Sequence, residues 1–95
     1  MKGKYVVIMV HNFDPETKTA EFDNYDMAKA YLHWLWEDYY NEEVAEGSRL
    51  NEEFCYHQDE YAIVEWLDGD RVEFMLSAVE EPYDGFKHID WKRYL

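Results

Sequence analysis

The chain has 95 residues, twenty-two acids against nine bases and a net charge of −13. A single domain of this size buries only about 60–65% of its unfolded surface, so nine Tyr, five Phe and four Trp must supply a dense core, and their abundance excludes an acidic disordered segment. The charge disfavours direct nucleic-acid binding through phosphate neutralisation and an anionic membrane surface alike, which leaves a basic partner, either a cationic protein surface or a cationic ligand, or a simple solubilising role.

Residues 4–11 (KYVVIMVH) are a β-branched run, apolar on both faces after Tyr5, and read as a central strand. A turn is expected at Asp14, Pro15, Glu16 and Thr17, where proline pre-sets φ. Residues 18–22 (KTAEF) make a short partner strand at an edge. Asp23 is the expected N-cap of a long helix, with Asp26 at the capping-box spacing and Phe22 and Met27 at the staple spacing. That helix should reach about Glu46 and stop at Gly47. A 3.6-residue period places Met27, Ala28, Tyr31, Leu32, Trp34, Leu35 and Tyr39 on its core face.

Residues 48–53 are polar and form a loop, and residues 54–57 can add a short strand. The runs 61–67 (YAIVEWL) and 71–78 (RVEFMLSA) flank Asp68-Gly69, a strong hairpin signal. The tail, 80–95, is irregular, aromatic and mildly basic through Lys87, Lys92 and Arg93, and is expected to pack back through Ile89, Trp91 and Tyr94. The order β-β-α-β-β makes an α+β fold, a small antiparallel sheet with one long helix packed across one face, in a single domain over 1–95. A lone cysteine, no leader and no apolar run of spanning length point to the cytoplasm.

Three constellations bear on function. Residues 37–70 hold twelve acids and one base, Arg49. Glu37, Asp38, Glu42, Glu43 and Glu46 fall in the helix's C-terminal half, where the dipole is negative and each acid in the last turn costs about 0.3–1 kcal/mol. Lys29 is too far along the helix to form i,i+4 pairs with them. Asp38, Glu42 and Glu46 form a track with about 6 Å rise per step, so the last turns must overhang the sheet, or the helix must bend or end early. Glu52, Glu53, Asp59 and Glu60 extend the field across the following loop. Such a surface could present carboxylates to Arg and Lys of a partner. Neutralisation from within, by Arg71 or the basic tail, would leave it an ordinary solvated face.

The second constellation is Trp36, Tyr40 and Val44 at i,i+4,i+8, turned from Leu35. They are either an exposed anchor, in its simplest form a homodimer contact, or a stripe covered by the tail. The third is Cys55 and His57 near Asp59 and Glu60. A thiol beside an imidazole can be a nucleophile or a metal ligand pair, but no second Cys, paired-His spacing or nucleophile elbow accompanies it. The expectation is therefore no catalytic residue, no metal and no cofactor. A small cysteine/histidine enzyme is one alternative, and an accessory domain that self-associates through the aromatic stripe is the other.

In size and charge the chain resembles the nucleic-acid-mimic class of small inhibitors carried by phages and mobile elements, including anti-restriction and anti-CRISPR proteins. The resemblance implies a non-enzymatic inhibitor that binds a basic nucleic-acid-binding protein.

Overall fold

The computed structural model describes residues 4–14 and 17–78. Pro15 and Glu16 of the expected turn lie outside the described residues, as does the tail with Lys87, His88, Ile89, Trp91, Lys92, Arg93 and Tyr94. In chain order come β1 (Tyr5–His11), β2 (Thr17–Phe22), α1 (Tyr25–Ala45), a 3-10 turn (Glu52–Phe54), β3 (Tyr56–His57), β4 (Tyr61–Glu65) and β5 (Arg71–Ala78). The strands form one antiparallel sheet in the order β2-β1-β5-β4-β3. The expected α+β architecture is observed, with β1 interior and β2 at an edge.

Strand alternation sorts the side chains into two layers. Val7 and Met9 of β1, Ala62 and Val64 of β4, and Val72, Phe74 and Leu76 of β5 face α1 and bury against Ala28, Leu32 and Trp36. On the opposite face Val6, Ile8 and Met75 form a second buried cluster with Val10 and Tyr61 against it. A run that is apolar at every position, as in β1, is what burial on both faces requires.

The β4–β5 hairpin closes through a three-residue loop. The Trp66 carbonyl accepts the Gly69 N–H at 3.0 Å, and the Trp66 N–H donates to the Asp70 carbonyl at 2.8 Å. Gly69 carries the positive φ of 97° that this loop type places on its last residue. Asn12 pins the hairpin to β1: its Oδ1 accepts the Arg71 N–H at 2.8 Å, and its own N–H donates to the Arg71 carbonyl at 3.1 Å.

The N-cap of α1 is Asn24, one residue later than expected; its Oδ1 accepts the Met27 N–H at 3.0 Å. The C-terminus is a Schellman motif. Gly47, with φ 77°, donates to the Val44 carbonyl at 3.0 Å and Ser48 donates to Glu43 at 3.1 Å. Ring contacts at both ends fix the direction of the helix. Tyr25 packs on Tyr5 at 5.6 Å and Tyr39 on His11 at 6.0 Å, so α1 runs in the same sense as β1. Because β1 ends at His11, the turns beyond Tyr40 overhang β1 by about 9 Å at 1.5 Å per residue, and the chain just after them, at Arg49 and Leu50, pairs with Leu67 and Trp66 of the β4–β5 hairpin. Of residues 41–46 only Glu43 is even half-buried. Of the three expected geometries an early end is not adopted, since α1 runs to Ala45.

The buried face of α1 is rotated from the expected one. Met27 and Trp34, expected in the core, are 63% and 58% exposed, so Met27 makes no staple. Trp36, a candidate exposed anchor, is only 9% exposed. The cause is the segment after the helix, which doubles back along one flank. Glu52 lies beside Tyr40, His57 beside Trp36 and His33, and the Gln58 carbonyl beside His33. This flank is thereby covered, and no element among the described residues covers the Met27 and Trp34 side.

Candidate partner-binding surface

The overhanging end of α1 carries the acids expected there. Glu37, Asp38, Glu42 and Glu46 are exposed, and Glu43 is half-buried, its carboxylate accepting the Ser48 hydroxyl at 3.0 Å. The last turn contains no base. Arg71 pairs instead with Glu73 on the sheet, Nε to Oε1 at 3.6 Å, and the basic tail lies outside the described residues. Among the described residues none of these five carboxylates has an ion-pair partner within 4.0 Å.

Glu52 joins this end. The Tyr40 hydroxyl donates to its Oε2 at 2.8 Å, and the Tyr40 ring stacks on Trp36 at 5.0 Å with planes 7° apart. Glu53 follows it, exposed. Tyr40 is thus half-buried and acts as a strut between the core and an acid, rather than as a free anchor. Trp36 is fixed more firmly, donating its indole N–H to the Ile63 carbonyl at 2.9 Å. Trp36 is thus buried rather than an exposed interface residue, while Val44 of the same stripe is 50% exposed. The cover over Trp36 comes from His57 and Tyr40.

Asp59 and Glu60 do not extend this field. They lie by Tyr25 at the other end of α1, where burial, then Glu60 and Asp59, raise the Tyr25 hydroxyl above its usual range. Tyr25 and Tyr40 are fifteen residues apart, or about 22 Å of helix rise. The expected continuous anionic surface is therefore two surfaces, one at each helix end. The doubling back of the chain after Glu52 separates them.

A groove of about 380 Å³ runs between α1 and the β1–β2 side. Met9, Leu35 and Tyr39 floor it, and Asp38 and Glu42 face His11, Asp14 and Lys18 across it. Lys18 moderates the field of the two helix acids here without a contact within 4.0 Å. Tyr39 reports that field. Burial, then Glu43, Glu42 and Glu46, push its hydroxyl up to about 12.

Cys55 and His57 are not assembled into a thiol–imidazole pair. The Cys55 thiol donates toward the Asn51 and Glu65 carbonyls at 3.4 and 3.5 Å, and burial, with Glu52 and Glu65 nearby, raises its pKa. His57 instead packs its ring against Trp36 at 4.9 Å and His33 at 4.6 Å. Among the described residues no three His, Cys, Asp or Glu side chains gather as a metal-binding group, and no helix is long and apolar enough to cross a membrane. Trp34 and Met27, expected on the core face by periodicity, are instead exposed, seven residues apart on one helix side. No family model matches the chain, and no curated protein or solved structure matches it.

Proposed function

We propose that this is a non-enzymatic protein-binding domain whose acidic helix end engages a basic surface, as an inhibitor that stands in for nucleic acid. One observation carries the reading: carboxylates with no ion-pair partner among the described residues are gathered on the C-terminal turns of α1, at the negative end of its own dipole. Each feature works against the isolated domain. Acids in the last turn oppose the macrodipole, and like charges close together repel. A cationic partner reverses the sign of both terms.

Asp38, Glu42 and Glu46 follow one another at about 6 Å of rise, a row that lysine and arginine side chains on a nucleic-acid-binding surface can meet in turn. Glu43 and Glu52, each held by a hydroxyl, fix the row's edges. The expected partner is a nucleic-acid-binding protein and the expected site is its nucleic-acid channel, so binding of this chain and of nucleic acid should be mutually exclusive.

The test is a pull-down with the full chain at low and high salt, followed by competition with duplex DNA. A basic partner released by added salt and by DNA supports the proposal. Retention of the same partner by the Glu42→Gln, Glu43→Gln, Glu46→Gln triple variant at undiminished yield would rule the acidic end out as the binding surface.

A further inference from the structure

We infer that the outer side of α1 around Trp34 is an arginine-stacking anchor, placed one turn before the acidic row so that a single arginine-rich protein segment engages both. The inference rests on the basic-partner reading above and names the chemistry that the partner must carry.

Trp34 is 58% exposed although no element of the described fold requires a large aromatic there. Its ring is nevertheless held. It packs on Tyr31 at 5.9 Å with planes 35° apart, and Tyr31 packs on Phe22 of β2 at 5.1 Å. This aromatic ladder connects an exposed indole to the sheet edge and braces one side of its ring. Met27, 63% exposed, lies seven residues before it, on the same side of the helix.

The surroundings select the occupant. Glu37 and Asp38 stand three and four residues after Trp34, which is the neighbour spacing on a helix. Glu42 and Glu46 continue toward the overhang. An apolar partner would have to desolvate these carboxylates without pairing them, which is costly. A second copy of this chain would set acid against acid at a net charge of −13 per chain. A guanidinium suits the place on both counts: its plane stacks on the indole while its N–H groups reach a carboxylate. A lysine ammonium supplies the charge without the planar stack, so arginine should be preferred over lysine at this site.

The experiment is calorimetric titration of the full chain at low ionic strength with octa-arginine and octa-lysine, which carry equal charge. The wild type should bind octa-arginine roughly three- to tenfold more tightly, the range that one partly desolvated cation–π contact supplies. Trp34→Ala should lose most of that preference while keeping its octa-lysine affinity, and Trp34→Phe should recover part of it. The Glu42→Gln, Glu43→Gln, Glu46→Gln triple variant should weaken both peptides alike and preserve the ratio. An unchanged peptide ratio in Trp34→Ala overturns the anchor and leaves the acidic reading standing. Undiminished binding of both peptides by the triple variant overturns the acidic reading instead, and failure of both peptides to bind the wild type overturns the two together. Trp34 is exposed, so its variants should melt within a few degrees of wild type, which confirms that they are folded.

Discussion

Trp36 donates its indole N–H to the main-chain carbonyl of Ile63, and this 2.9 Å bond ties the middle of α1 to β4. It satisfies a buried donor that would otherwise cost about 1–3 kcal/mol, and it aligns the ring for its stack on Tyr40. Trp36→Ala should therefore cost about 3–5 kcal/mol, a large part of the total stability of a domain this small. Trp36→Phe keeps the packing, loses the donor, and should cost much less. Urea titrations of the two variants check the order; equal stabilities would mean that the indole is not seated in the core.

The rotated helix face shows what the sequence could and could not reveal. The strands, their order in the chain, and the helix with its Gly47 stop follow from local signals. β-branched runs, the Asp68-Gly69 turn and a glycine at positive φ each act over a few residues. Which flank of α1 is buried is decided at long range, by residues 52–58 lying along Trp36, Tyr40 and His33. Aromatics occur all round this helix, so periodicity alone allowed two faces less than about one 100° residue step apart. The acidic surface was legible as a cluster, but its division was not. Asp59 and Glu60 are near Glu52 in sequence yet a helix length away in space, because the chain runs antiparallel to α1 between them.

Neutralising the overhang should stabilise the free domain. Glu42, Glu43 and Glu46 oppose the dipole of α1, and Glu43→Gln still offers an oxygen to Ser48. The triple glutamine variant should gain about 1 kcal/mol at low salt, which for a domain of this length is a rise in Tm of about 4–8 °C. The gain should shrink as salt screens the charges. Thermal melts at two ionic strengths measure it, and a fall in Tm would show that these acids stabilise the fold by contacts of their own.

Alkaline conditions should weaken the fold through its tyrosines. Tyr39 has its pKa raised to about 12, and Tyr61, buried beside Glu73 and donating to its Oε1 at 3.0 Å, is raised as well. A group whose folded pKa exceeds its unfolded value of about 10 holds its proton more tightly in the native state. That contribution is fully present below pH 10 and is lost as pH climbs toward 12. Tyr39→Phe cannot ionise, so its stability should decline less steeply over that interval than wild type. Parallel declines would assign the alkaline loss to other groups.

The asymmetry between the ends of α1 gives a paired test of its caps. Asn24 supplies a side-chain acceptor to the Met27 N–H, and Asn24→Ala should cost about 1 kcal/mol. Gly47 sits at φ 77° with nothing within 4 Å of where a Cβ would stand, so Gly47→Ala meets no steric obstacle and its cost is backbone strain alone, about 1–2 kcal/mol. The Schellman bonds of Gly47 and Ser48 hold the carbonyls of the overhanging turns, so loosening them should fray the acidic end first. Amide exchange should accelerate selectively over residues 43–48 in Gly47→Ala, while the amides of the Trp36 turn stay protected. Uniform acceleration along the whole helix would instead mean that the overhang and the sheet-packed turns unfold as one unit, and the acidic row would then have no independent freedom to adapt to a partner.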